Sequence, residues 1–220
     1  MTAFALPLQA AGHRKRKGCR NMAGRKQFDV DQVIDQAMHV FWRCGYAGAS
    51  LEQLSAATGL GRGSLYGTFG SKDGLFLKAL QRYSEIYGAR YDAALKQADD
   101  DPVGAIEAFF DVALARIADP TVPDGCLMTQ STISSPMLEP EIAAHVREML
   151  HKQHARVRSA LASHAHSDEV LIEELATYVV AVTQSLAVLS RGGMSADQLR
   201  STARLACDTI ARQLAERARE

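Results

Sequence analysis

Residues 50–75, S-L-E-Q-L-S-A-A-T-G-L-G-R-G-S-L-Y-G-T-F-G-S-K-D-G-L, constrain the fold of this chain more than any other stretch. They read as two short helices joined by a glycine turn. Ser50 can cap the first, and Gln53 three residues later completes a capping box. Leu51, Leu54 and Ala57 give that helix one apolar stripe, so it packs inward. Gly59 suits a left-handed C-terminal cap, and Leu60 plugs the space between the two helices. The second helix is expected from about Arg62 to Thr68, with Leu65 and Phe69 four apart on the core side. That leaves Arg62, Ser64, Tyr66, Gly67 and Thr68 on the outer face.

Two helices in this layout form a helix-turn-helix, which places its second helix in the DNA major groove. The outer residues suit DNA contact, with Arg for guanine edges or phosphates and Ser, Thr and Tyr for phosphate oxygens. Gly61 and Gly63 let backbone approach a neighbouring surface closely. Ser71-Lys72-Asp73 opens the next helix, where free N–H groups, the dipole and Lys72 favour a phosphate. Upstream, Val30, Val33, Ile34, Ala37, Met38 and Phe41 recur at helical spacing and predict a helix ending near Gly45. The candidate DNA contacts are Ser50, Arg62, Gly63, Ser64, Tyr66, Thr68 and Lys72. The bland alternative is a three-helix corner of a larger bundle.

A helix over 28–45 followed by Y-A-G-A-S-L-E-Q-L-S-A-A-T-G-L-G-R-G-S-L-Y and F-G-S-K-D-G-L-F resembles the N-terminal domain of the TetR/AcrR family of transcriptional regulators. Gly45-Tyr46, Leu65-Tyr66, Phe69, Ser71-Lys72 and Leu75 fall in the family's register, over residues 26–80. Two positions depart from its pattern: Thr68 stands where the family often has His or Tyr, and Asp73 where it usually has Glu. Asp73 keeps a negative charge in the first helical turn.

Charge is distributed accordingly. Residues 1–70 carry nine Lys/Arg against four Asp/Glu, and residues 71–220 carry sixteen against twenty-one, so a formally neutral chain has a basic N-terminal end. The expected organisation is a basic, disordered arm (1–25), a helix-turn-helix domain (26–71) and a helical effector-binding and dimerisation domain (72–220). The run His13-Arg14-Lys15-Arg16-Lys17 with Arg20 reads as an arm that tracks phosphates. Equally, translation could begin at Met22. The charges follow the apolar stretch at 3–6, which argues against a secretory signal. No uninterrupted apolar run approaches membrane-spanning length, so a cytoplasmic protein without a membrane partner is expected.

The rest of the sequence reads as helix: 72–97, 102–118, 126–134, 140–164, 168–190 and 196–217. Asp99-Asp100-Asp101-Pro102, the loop 119–125 and Arg191-Gly192-Gly193 are the breaks. The fold class is therefore all-α, with about nine helices. In the last two helices Leu171, Leu175, Val179, Val182, Leu186 and Leu189 line one face, and Leu199, Ala203, Ala206, Ile210 and Leu214 the other. The family resemblance implies that this pair forms a four-helix bundle with its twin, hence a homodimer on a palindromic double-stranded DNA operator. It also implies a pocket among the middle helices for a small-molecule effector. Candidate lining residues are Tyr83, Tyr87, Phe109, Phe110, Cys126, Met128, Met137, Met149 and Tyr178, with plain core packing as the alternative. Thr129, Gln130, Thr183 and Gln184 add modest polarity and no buried charge cluster is evident, so a mostly apolar or aromatic effector is expected.

Cys19, Cys44, Cys126 and Cys207 are scattered, with no metal-binding spacing. Cys126 follows Pro123-Asp124-Gly125 and is placed in a first helical turn, where the dipole lowers a thiol pKa. A thiol-based redox- or electrophile-sensing repressor is thus the alternative to reversible ligand binding. His145, His151, His154, His164 and His166 have no Cys or paired carboxylates around them and read as a solvated face. No metal site, cofactor motif or catalytic constellation can be assembled. The expectation is a ligand-responsive transcriptional repressor, against a small all-α enzyme or interaction module whose glycine turn only mimics a DNA reader.

Overall fold

The computed structural model describes residues 28–96, 101–162, 168–217 and 219. Among them the chain forms nine α-helices and no strand: α1 Val30–Gly48, α2 Leu51–Thr58, α3 Arg62–Phe69, α4 Lys72–Lys96, α5 Pro102–Ala118, α6 Leu127–Ser134, α7 Pro140–Ala162, α8 Glu169–Arg191 and α9 Ala196–Arg217. A 3₁₀ turn, Ser135–Met137, joins α6 to α7. The arm (1–25), Met22, Cys19, His164 and His166 lie outside the described residues.

Local chemistry sets most boundaries. Asp29 caps α1 by accepting from the amides of Asp31 and Gln32. Ser50 and Gln53 form the reciprocal capping box at α2, and Gly59 ends that helix at φ 66°, a conformation open to glycine. Asp101 caps α5 with Pro102 in its first turn, and Asp168 caps α8. The Oγ of Ser195 accepts from the Gln198 amide, 3.3 Å, at the start of α9.

Three expectations need correction here. Helix α1 runs on to Gly48, but Gly45 inside it sits at φ 73° and kinks it. Its apolar stripe starts at Val33; Val30 is 42% exposed, while Val40 and Trp42 join the core. In α2, Ala57 is exposed and Thr58 is the buried residue beside Leu54, its hydroxyl donating to the Leu54 carbonyl at 2.7 Å. A polar residue whose hydrogen bond is satisfied within its own helix can take a core position.

One apolar core runs through the molecule. Helix α1 lies along α4, with Phe41 tilted against Phe76 at 4.8 Å between ring centroids. Trp42, fully buried, meets Tyr83 and Tyr87 of α4 edge-on, at 5.1 and 5.7 Å. Helices α5 and α7 then pack on α8, and α5 and α8 on α9. By length and composition, α8 is the one helix among the described residues able to span a bilayer. Its buried face, with Ile172, Leu175, Val179 and Leu186, is a core face of this bundle.

Candidate nucleic-acid interface and internal cavity

Helix α3 is held by very little. Leu65 is its single buried residue, and Phe69 and Tyr66 pack against the core from its edge. Everything else faces outward: Arg62, Gly63, Ser64, Gly67 and Thr68 are exposed. An added Cβ at Gly61, Gly63 or Gly67 would meet nothing within 4 Å, so this face is open for another molecule's approach. The Arg62 guanidinium lies 5.5 Å from the centre of the Tyr66 ring, a loose cation–π contact from which it can extend. Thr68 donates to the Ser64 carbonyl at 2.9 Å, so its hydroxyl must rotate before it can donate to a phosphate.

The start of α4 borders the same face. Lys72 projects over the Tyr46 ring, 4.5 Å from its centre. The Tyr46 hydroxyl donates to the Asp73 carboxylate, and burial, followed by that bond, pushes its pKa up to about 12. Tyr46 therefore stays a neutral donor at physiological pH and ties the kinked end of α1 to the first turn of α4. At the other border, Ser50 is occupied in its capping box, donating its backbone N–H to Gln53 at 2.8 Å. Basic, hydroxyl and glycine residues thus share one surface built from α2, α3 and the start of α4.

The second feature is a cavity between α4, α5, α6, α7 and α8. It is narrow, with a free volume of only about 30 Å³. In this conformation it admits roughly two waters or a few ligand atoms. Tyr83, Tyr87, Cys126, Met128 and Met149 line it, as do Thr129, Thr183 and Gln184. Phe109 and Phe110 do not: they are fully buried on the core side of α5, where Phe109 supports Tyr91 with ring centres 4.4 Å apart. Tyr178 does not either, since it lies on the outward side of α8 and is 38% exposed. Met137, in the 3₁₀ turn, is 79% exposed.

The wall also contains residues that helical periodicity could have revealed. Tyr91 continues the Tyr83–Tyr87 stripe by one more turn. Arg116 falls on the apolar stripe of α5 after Phe109 and Ala113, and it is 2% exposed. This corrects the expectation of a cavity without buried charge. The guanidinium donates through Nη1 to the Gly125 carbonyl and lies 5.9 and 5.7 Å from the rings of Trp42 and Tyr87. Its Nε has no partner. The other arginine of the wall, Arg156, is paired with Asp92 at 2.6 Å.

Cys126 is the N-cap of α6, one residue before the first turn expected for it, and its Sγ accepts from the Thr129 amide at 3.5 Å. The Tyr83 hydroxyl lies 3.1 Å from the same sulfur. Burial pushes this thiol up, but the Arg116 charge and the hydrogen bonds from Thr129 and Tyr83 outweigh it and leave it below the ordinary thiol value. On the far wall Thr129 donates to Gln184, and Gln184 to Gln153 at 2.8 Å. The remaining histidines belong to no metal-binding group among the described residues.

Comparison with known proteins agrees with this layout. Residues 33–79 match the family model described as bacterial regulatory proteins, tetR family. The chain is 30% identical over 184 residues to the uncharacterised HTH-type transcriptional regulator YezE of Bacillus subtilis (strain 168), covering 81% of this chain and 94% of that protein. It is 27% identical over 178 residues to the HTH-type transcriptional repressor ComR of Escherichia coli (strain K12), covering 79% and 85%. Among solved structures, a cysteine mutant of the TetR family regulator CifR bound to 26-base-pair operator DNA superposes with a TM-score of 0.75 at 27% identity, over 84% of this chain and 97% of that one. A TetR regulator from Chloroflexus aurantiacus gives 0.73 at 27% identity, over 82% and 93%. An exposed helix-turn-helix at one end, a helical body and similarity over 81% of the chain have one common explanation: the chain is a DNA-binding transcription regulator that belongs to the TetR family.

Proposed function

We propose that the protein is a homodimeric repressor that leaves a palindromic operator when a small molecule enters the cavity among α4–α8. The contact of Trp42 with Tyr83 and Tyr87 carries this reading. The α4 wall of the cavity is thereby in direct ring contact with the helix that supports the helix-turn-helix, so a ligand that displaces this wall bears on α1 as well as α4. A second link supports it: Arg191 at the end of α8 donates to the carbonyls of Trp42 and Arg43, at 3.4 and 3.1 Å. DNA contact is assigned to Ser50, Arg62, Gly63, Ser64, Tyr66, Thr68 and Lys72. The effector is assigned to Tyr83, Tyr87, Cys126, Met128 and Met149.

Residues 26–71 form the DNA-binding domain in this reading and 72–220 the sensing and dimerisation domain, with the basic arm 1–25 adding phosphate contacts. Dimerisation uses α8 and α9, whose outward sides expose Val170, Tyr178, Val188 and Leu205. A two-fold dimer needs half-sites about 34–36 Å apart, and the protein works in the cytoplasm, where its operator is. Effector and operator then weaken each other by the same factor, about 1–3 kcal/mol. Selection of random and genomic DNA on the purified protein at physiological salt tests the reading. A recovered palindrome supports it; salt-sensitive binding with no enriched sequence rejects it.

The environment of Cys126 favours a second mode on the same scaffold, in which the thiolate itself is the sensor. Cys126→Ser should then bind operator normally yet stay bound when electrophile or oxidant is added.

A further inference from the structure

We propose that the effector is a small organic anion whose acid group is bound by Arg116 inside the cavity. The inference rests on the effector reading above and adds its chemistry. An arginine 2% exposed is normally found opposite a carboxylate, because a buried charge without a counter-charge is costly. Arg82 has Asp35, Arg156 has Asp92 and Arg158 has Glu169. Among the described residues Arg116 has no such partner, and the groups acting on its charge are three tyrosines and a cysteine.

The donors fit this assignment. Nη1 is committed to the Gly125 carbonyl and Tyr91 lines the same wall, while Nε is unsatisfied. Planar carboxylates are the natural complement of the edge of a guanidinium. Trp42 and Tyr87 flank the group with ring contacts, which makes the surroundings apolar and strengthens any ion pair formed there. The narrow interior excludes a large ligand. A compact acid with a short aliphatic or single-ring body, resting on Met128 and Met149, matches the lining.

Binding also has a route outward. The carbonyl that Arg116 holds belongs to Gly125, which sits at φ 80° and packs so closely on Arg191 that an added Cβ would lie 2.7 Å from its side chain. An acid group that draws Arg116 into the cavity pulls on Gly125, and through Arg191 on the end of α1.

The test uses the full-length protein and Trp42, the chain's one tryptophan, as the fluorophore. Straight-chain monocarboxylates from acetate to octanoate, and benzoate, are titrated at constant ionic strength against their uncharged amides. At least one carboxylate should change the Trp42 emission saturably, release operator, and bind about thirtyfold or more tightly than its amide. Arg116→Gln should erase that preference, with operator binding as the check that it folds. Tyr91→Phe, a milder change that keeps the ring on Phe109, should weaken the carboxylate severalfold. Amides that bind as tightly, carboxylate binding that survives in a folded Arg116→Gln and in Tyr91→Phe, or no binding by any carboxylate overturns the proposal. An amide that releases operator would keep the effector reading while removing the anion. Carboxylate binding through Arg116 that leaves operator affinity untouched would keep the anion site and remove the effector reading.

Discussion

The outer face of α3 and the wall of the cavity solve opposite problems. The α3 face is exposed, rich in glycine and anchored by Leu65 with Tyr66 and Phe69 at its edge, so its side chains have few commitments before a partner arrives. The cavity wall is drawn from five helices, and its polar groups are tied to one another: Thr129 to Gln184, Gln184 to Gln153, Arg156 to Asp92. The Nε of Arg116 is left without a partner there. A surface for a long polyanion can draw its binding energy from the partner's charges. A site for a small molecule has to be assembled in advance, because a few atoms of ligand cannot reorganise a core.

Trp42, on α1 behind the tyrosines of the cavity wall, joins the two regions, and changing it is the most severe way to break the comparison. Trp42→Ala removes a fully buried indole and its contacts with Tyr83 and Tyr87. A loss of about 3–5 kcal/mol is expected, seen as a large drop in Tm together with loss of operator binding. Trp42→Phe sharpens the point: it should keep the fold and operator affinity while reducing effector-driven release. Equal release by both proteins would remove Trp42 from the coupling.

Changes on the α3 face should do the reverse. Arg62→Ala and Lys72→Ala lie outside the core, so each should alter stability by no more than about 0.5 kcal/mol. Operator binding should fall by about 1–3 kcal/mol for Arg62→Ala, with relaxed base preference if the guanidinium reads a base edge. Lys72→Ala should weaken all sequences alike and lower the salt slope by about one. An unchanged slope would remove Lys72 from the phosphate contacts. Quantitative footprinting at several salt concentrations, with Tm measured beside it, separates the two outcomes.

Between the regions stands Gly45, whose φ of 73° kinks α1 and whose added Cβ would lie 2.9 Å from the amide nitrogen of Gln130 in α6. Gly45→Ala should cost about 1–3 kcal/mol from backbone strain. Adding Gln130→Ala relieves the contact but leaves the φ, so only part of the Tm should return. Full recovery would mean that crowding, and not the backbone, sets the cost.

The two regions also differ in how far the sequence discloses them. The helix-turn-helix is written in signals a few residues long: the Ser50–Gln53 box, the left-handed Gly59, the Leu65–Phe69 spacing. Each acts within its own segment, so each is readable without a fold. The cavity depends on which faces of five helices converge. Tyr83, Tyr87, Met128 and Met149 could be picked out as large residues on the middle helices, but so could Phe109, Phe110 and Tyr178, which point elsewhere. Arg116 and Tyr91 carried a usable signal, because each continues an apolar stripe at helical spacing. A charged residue on such a stripe is easily read as a helix end reaching solvent, and only the surrounding tyrosines and Trp42 establish otherwise.

The smallest expected effect concerns pH and separates the regions once more. Burial lowers the pKa of His39 and of His145 from the ordinary 6.5, so the folded protein favours both in the neutral form. The Nε2 of His145 is buried without a partner, which leaves a proton there unsolvated. Below pH 6.5 the unfolded chain therefore binds more protons than the folded one, and stability must fall as pH falls. The loss begins near the ordinary value and is complete once the pH has passed below the folded pKa. Tm should thus decline as the pH falls below about 6.5, and His145→Asn should flatten part of that decline. Neither histidine belongs to the α3 face, so operator affinity of the folded protein should stay level over the same interval. A decline in affinity that tracks Tm would show that the core around α1 and α7 holds the recognition helix more tightly than its single buried leucine suggests.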